Sequence, residues 1–125
     1  MKKLFVGVLI IMMSTLNGCN NNHENNENKY QNKINQVLKI QEETHKVMVE
    51  KSDEVNKNFN KEKVNRYVFQ NGKLIIISYP LYKNKSQLFY ATYEFKGDKI
   101  FYKRDFNPKE YIREHKADYK EEKYK

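Results

Sequence analysis

The stretch VNRYVFQNGKLIIISYPLY, Val64 to Tyr82, holds two β-rich runs joined by Asn71-Gly72. Val64 to Gln70 mixes aromatic and β-branched residues with polar ones, and Lys73 to Tyr82 follows with Leu74-Ile75-Ile76-Ile77 at its centre. Asn-Gly between such runs is the strongest short hairpin signal, because both residues tolerate the positive φ that a two-residue turn requires. Leu74 to Ile77 is apolar at consecutive positions, so both faces of that strand are expected to be buried and the strand to lie centrally in its sheet. Pro80 has no N–H to give to a ladder and marks a strand end or a bulge.

The same period continues downstream. Ser86 to Lys96 (SQLFYATYEFK) reads as a third strand with Phe89, Ala91, Tyr93 and Phe95 on one face. Gly97-Asp98 supplies the next turn, and Lys99 to Phe106 (KIFYKRDF) is the fourth strand. Eleven of the seventeen aromatic residues fall between Tyr67 and Phe106, which places the core in this sheet. Asn107-Pro108 ends it. Lys109 to Lys125 is highly charged, and a short helix beginning near Pro108 that frays into a disordered tail is expected.

Upstream, residues 29 to about 58 contain no Gly or Pro. Tyr30, Ile34, Val37, Leu38, Gln41, His45 and Met48 recur at spacings of three and four, the stripe of an amphipathic helix, with Ile40, Val47 and Val55 broadening or extending it. The fold class is therefore α+β: one long N-terminal helix packed on a four-stranded antiparallel sheet. A sheet with an apolar face needs a cover, and the helix stripe is the candidate for it.

Before the helix the chain changes character. Met1-Lys2-Lys3 precedes an uncharged run, Leu4 to Leu16, that is shorter than the ~20 residues a membrane-spanning helix needs. A basic start, a short apolar run and small residues form the pattern of a secretory signal peptide. Leu16-Asn17-Gly18-Cys19 resembles the bacterial lipobox, with Asn17 where Ala, Ser or Thr is usual. The resemblance implies cleavage before Cys19 and a diacylglyceryl group, with palmitate-type chains, on its thiol. A structural thiol would sit within a packed element, and the single cysteine has no intrachain disulfide partner. Asn20 to Lys29 is rich in Asn, cannot bury enough surface to offset ordering, and reads as a tether. His23 with Glu24 and Glu27 lacks a closing set of metal ligands and reads as solvated linker. The expected divisions are a signal peptide over 1–18, a lipidated Cys19 with its tether over 19–29, a domain over 30–108 and a charged helix or tail over 109–125.

Without residues 1–18 the chain keeps 107 of its 125 residues and loses Lys2 and Lys3, leaving 22 basic against 16 acidic side chains, a net charge of +6. Lys is interspersed with Glu and Asp, which describes a solvated surface beside anionic lipid or wall polymer and not a specific nucleic-acid site. With the lipobox, the Asn-rich tether, one Lys/Glu helix and four aromatic-rich strands, the chain resembles the small cystatin-like fold lipoproteins of Gram-positive bacteria, staphylococci especially, often encoded on mobile elements. That resemblance implies the cystatin-like fold and carries over no catalytic residue.

Motifs that would indicate chemistry are missing or incomplete. The first hairpin tip, Gln70-Asn71-Gly72-Lys73, lacks the Val of the Q-x-V-x-G loop that protease-inhibiting cystatins use. Tyr67, Tyr79, Tyr90, Tyr93 and Tyr102 could offer hydroxyls to a pocket, and Glu94, Asp105 or His45 a base, but the carboxylates alternate with apolar neighbours as outward residues do. The tyrosines are expected to be core bodies whose hydroxyls reach water. Glu42-x-x-His45 has the spacing of a di-iron carboxylate pair but stands alone, and His115 beside Glu114 has no third ligand nearby. No phosphate loop, nucleophile elbow, zinc signature or cofactor motif is present.

The expected function is that of a non-enzymatic, lipid-anchored module on the outer face of the cell membrane. Its partners would be the membrane, through the anchor, and an envelope or secreted protein, in a setting such as conjugation. The expected binding surface is the two hairpin tips, Asn71-Gly72 and Gly97-Asp98, with the Tyr/Lys face of the sheet. The alternative is a small-molecule or lipid carrier with a cleft between helix and sheet.

Overall fold

A computed structural model of the protein describes residues 29–124. The signal peptide, Leu16, Asn17, Gly18, Cys19 and the tether to residue 28 lie outside the described residues. Helix α1 covers 29–51, and its stripe is buried as expected: Tyr30, Ile34, Val37, Leu38, Gln41 and His45 all face the core. It stops short of residue 58. The Ser52 hydroxyl accepts the Glu54 N–H at 3.2 Å, a local turn that competes with the helix. The chain then runs beside the end of the sheet, where Val55 bridges Tyr82, the Asn56 N–H donates to the Leu81 carbonyl and the Lys83 N–H to that of Glu54. Val55 is buried beside that bridge and joins the core from outside the helix.

The sheet has five strands, not four: β1 Asn65–Phe69, β2 Leu74–Tyr79, β3 Phe89–Lys96, β4 Lys99–Tyr102 and β5 Tyr119–Glu121, in the order β4-β3-β2-β1-β5 with every pairing antiparallel. β2 is central and all six of its residues are buried, as the Leu74 to Ile77 run requires. Ile75, Ile77 and Tyr79 join Val68, Ala91, Tyr93 and Phe95 beneath α1. Leu74 and Ile76 face the other way and pack with Tyr67 and Phe69. That second face also has a cover, which the sequence reading did not anticipate. Phe106, Tyr111, Ile112 and Ala117 close over it, two of them from helix α2, Pro108–Glu114.

The C-terminal segment is an ordered part of the sheet and not a disordered tail. After α2, β5 pairs with β1 from Arg66↔Glu121 to Val68↔Tyr119. Its attachment is made by backbone groups and by two inward polar side chains, so its charged composition does not oppose it. Asn65 is fully buried; its side-chain amide donates to the Tyr124 carbonyl (2.9 Å) and the Ser78 hydroxyl (3.1 Å), and its carbonyl oxygen accepts from the N–H groups of Lys123 and Tyr124. The Tyr67 hydroxyl donates to Glu122 at 2.8 Å.

The first hairpin turns where Asn71-Gly72 says it should, but through four residues. Phe69↔Leu74 is the last pair, and Gln70, Asn71 and Gly72 all have positive φ (53°, 55° and 92°). Gly72 also sits close to the helix, since a Cβ there would lie 3.2–3.3 Å from the side chains of Lys33 and Tyr30, which would have to shift by a few tenths of an ångström. β3 starts at Phe89 and not Ser86. β4 ends at Tyr102 and not Phe106, because Phe106 crosses to the second face and packs against Tyr111 at 5.3 Å.

Candidate functional site

Two polar residues interrupt the buried stripe of α1 one turn apart, Gln41 and His45. Opposite them, on the sheet face turned toward α1, stand Tyr79 of β2 and Tyr93 of β3. These side chains form one directed chain of hydrogen bonds. The Tyr93 hydroxyl donates to Gln41 Oε1 at 2.5 Å, and Gln41 Nε2 donates to the Tyr79 hydroxyl at 2.9 Å. His45 Nε2 lies 2.6 Å from the Asn56 carbonyl, which can only accept, so Nε2 carries the proton. In the neutral ring, Nδ1 is then the acceptor for the Tyr79 hydroxyl at 3.3 Å.

Burial pushes the Tyr79 hydroxyl up to about 12, and it raises Tyr93 further above the ordinary phenol range. Both are neutral donors at physiological pH. Among the described residues no buried side-chain polar atom lacks a partner. The hydroxyls of Tyr67, Tyr79 and Tyr93 each bond to a protein side chain, where the sequence pointed to water as their partner, whereas Tyr102 is half exposed. The signal in the sequence was the placement of Gln41 and His45 on an otherwise apolar stripe, since a buried amide or imidazole requires partners.

Beside this chain a cleft of about 360 Å³ opens between α1 and the border of the sheet. Ile40, Thr44 and Met48 form its helical wall, and Phe89, Tyr93 and Tyr102 its sheet wall. Gln41 contributes to the floor, and Arg104 stands at the mouth. The cleft exists because β4 is half the length of β3, four residues against eight. The Lys103 N–H donates to the Thr92 carbonyl at 2.9 Å, after which the chain leaves β3, so Phe89 to Ala91 have no β4 residue alongside. The rim is apolar and open, with Ile40 37% and Tyr102 50% exposed. Arg104 is exposed and has no carboxylate partner among the described residues. A ligand is offered largely apolar walls, two tyrosines and one guanidinium.

The four expected surface residues lie toward the other end of the sheet. The register brings both hairpin tips together there, with the Phe95 N–H donating to the Lys73 carbonyl at 2.8 Å. Asn71 is exposed but its N–H is held by Asp118 Oδ2 at 2.8 Å. Gly72 is buried, and its carbonyl accepts from Lys33 Nζ at 3.3 Å. Gly97 (φ 63°) and Asp98 are exposed, and a Cβ at Gly97 would meet open space. The remaining candidates do not converge. Glu42 pairs with Lys61 at 3.3 Å while His45 turns inward, Glu94 is held between Lys96 and Lys103, and His115 stacks on Tyr111 at 3.9 Å. No group of three metal-ligating residues is present among the described residues.

A long helix laid on one face of an antiparallel sheet, with a cleft at their border, defines a cystatin-like α+β domain. The chain belongs to the family described as a domain of unknown function with cystatin-like fold, DUF4467, whose model matches residues 30–123. It is similar to the crystal structure of a DUF4467 family protein from Staphylococcus aureus subsp. aureus Mu50, with 32% sequence identity and a TM-score of 0.70. That match covers 77% of this chain and 99% of the other. No curated protein matches the chain. Among the described residues no helix is long and apolar enough to cross a membrane.

Proposed function

We propose that this protein is a non-enzymatic binding module, anchored through acylated Cys19 to the outer face of the cell membrane, which engages an envelope or secreted protein. The observation that carries the binding reading is the open apolar cleft, with exposed Ile40 and Tyr102 on its rim and an unpaired Arg104 at its mouth. Exposed aromatic and aliphatic side chains beside a free Arg are the composition of protein-contact surfaces. Catalysis would draw on an acid or base poised to exchange a proton with substrate. Here Gln41, His45, Tyr79 and Tyr93 use their polar atoms on one another and on Asn56. Leu16-Asn17-Gly18-Cys19 supports the anchor, and a setting in conjugation or on a mobile element extends the resemblance noted above.

The test is capture from envelope extracts by the mature chain, held by its C-terminus, with bound proteins identified by mass spectrometry. One reproducible partner that survives moderate salt is expected, and capture that vanishes with salt would reduce the reading to a polycation holding polyanions. Replacing Cys19 with Ala is expected to leave uncleaved precursor or to release protein to the medium; membrane-bound mature protein without acyl mass would refute the anchor. A second reading, a carrier of a small amphiphile, is favoured by one observation. The cleft volume of about 360 Å³ lies within the range of ligand pockets, ~300–1,000 Å³. Native mass spectrometry of protein taken from membranes would reveal such a passenger as a fixed added mass.

A further inference from the structure

β4 is an outer strand of the sheet, and its free edge adjoins the cleft. In an antiparallel ladder the hydrogen-bonded pairs recur at every second residue. The bond from the Lys103 N–H to the Thr92 carbonyl fixes the phase, so 103, 101 and 99 bond to β3. The N–H and C=O groups of Ile100 and Tyr102 therefore point outward from the sheet. Their side chains project to the α1 face, where Ile100 packs against the core and Tyr102 lines the cleft. Lys99, Phe101 and Lys103 project to the other face, alongside Lys96.

Charge selects what can pair with this edge. Lys99 to Arg104 (KIFYKR) carries three cations and no anion. Lys103 shares Glu94 with Lys96, whereas Lys99 and Arg104 have no carboxylate partner among the described residues. A second copy of this chain adding its own β4 would set lysine against lysine, which opposes self-pairing. A negatively charged strand meets the opposite sign.

We propose that the free edge of β4 is a strand-addition site for an extended segment of a partner protein, apolar at every second residue and acidic at the residues between. The inference rests on the protein-binding reading and names the site and the chemistry of its partner. The alternation follows from the faces of the sheet. Residues opposite Ile100 and Tyr102 exchange main-chain hydrogen bonds with them and share the α1 face, so their side chains lie beside Tyr102, Ile40 and the cleft. The intervening residues lie beside Lys99, Phe101 and Lys103, where a carboxylate finds a cation. Arg104 receives a further carboxylate at the end of the cleft.

The test is an NMR titration of ¹⁵N-labelled residues 29–125. The similar S. aureus chain is covered to 99% by this domain, so the segment stands as a folded unit. The ligand is the capped peptide acetyl-Glu-Val-Glu-Val-Glu-Val-Glu-amide, with its Val-Lys counterpart as control. The Val-Glu peptide is expected to shift the amides of Ile100 and Tyr102 and to slow their exchange with solvent, and the Val-Lys peptide to do neither. N-methylation of the valine amides, which face β4, is expected to abolish binding, while N-methylation of the glutamate amides leaves it. Lys99→Glu combined with Arg104→Glu, both exposed side chains, is expected to weaken binding at least tenfold.

The proposal is overturned if Ile100 and Tyr102 do not move at millimolar peptide, if the shifts fall on β5 instead, or if both N-methylated peptides bind alike. Shifts at Ile40 and Tyr102 produced by phosphatidylglycerol vesicles and not by the peptide would assign the surface to a membrane and overturn it as well. The two readings separate in the capture experiment: a partner retained equally by the Lys99→Glu, Arg104→Glu variant keeps the binding module and removes the β4 edge.

Discussion

Replacing Gln41 with Leu tests whether the polar chain beneath α1 behaves as one unit. Leu has nearly the volume of Gln and suits the neighbouring apolar stripe, so packing is little disturbed. Two hydrogen bonds disappear, one from the Tyr93 hydroxyl at 2.5 Å and one to the Tyr79 hydroxyl at 2.9 Å. Each contributes about 1 kcal/mol net, and a buried hydroxyl left without a partner costs a further ~1–3 kcal/mol. The Tyr93 hydroxyl borders the cleft and water there can partly satisfy it, which places the loss at about 2–3 kcal/mol. Tyr93→Phe alone orphans Gln41 Oε1 and is expected to cost about 1–2 kcal/mol. The double variant removes donor and acceptor together, so its loss is expected to fall short of the sum by ~1–2 kcal/mol. The chain has no Trp, so urea denaturation followed by far-UV circular dichroism is the suitable assay. Strict additivity of the two substitutions would refute the coupling, and a loss below ~0.5 kcal/mol for Gln41→Leu would refute the network's contribution to stability.

Asn65→Ala removes the clamp on the C-terminal segment and is expected to cost about 2–4 kcal/mol, with amides of residues 119–124 losing hydrogen-exchange protection before the rest of the sheet. Unchanged protection there would show that β5 is held by its ladder alone. Burial raises Tyr67, Tyr79 and Tyr93, with Tyr79 at about 12 against 10.0 for an ordinary phenol. The folded state thus holds these protons more tightly than the unfolded chain, so their stabilisation is complete below pH 10 and falls away as pH rises through 12. Phenolate absorbance is expected to show these tyrosines titrating together with loss of structure, and independent titration before unfolding would contradict it. Gly72→Ala combines a positive φ with Cβ contacts at 3.2–3.3 Å and is expected to cost ~1–2 kcal/mol, more than Gly97→Ala, where the surrounding space is open. Thermal unfolding of the two variants gives the comparison.

Local pattern carried most of the scaffold. The stripe at spacings of three and four from Tyr30 to Met48, the Asn71-Gly72 turn and the doubly apolar β2 are each set by neighbours in the chain, and each appears where the sequence places it. Helix limits were less legible, because Val55 satisfies the helical stripe equally well but is captured by a bridge to Tyr82. The fifth strand left no signal of its own: Tyr119–Glu121 is three charged or aromatic residues, and their pairing depends on the bare edge of β1 and the buried amide of Asn65.

The cleft is a still less local property. It arises from the difference in length between β3 and β4 and from where α1 crosses them, and neither is written in any one segment. The sequence by itself determined the helix, the meander, the charge and the Leu16-Asn17-Gly18-Cys19 stretch, because these depend on dihedral preference, side-chain period and composition. Tertiary structure alone decided that Gln41, His45, Tyr79 and Tyr93 meet, that both sheet faces are covered and that the edge of β4 stays bare. Hydrogen bonds and packing between residues distant in the chain depend on how layers come together, and a sequence specifies that only through the folded whole.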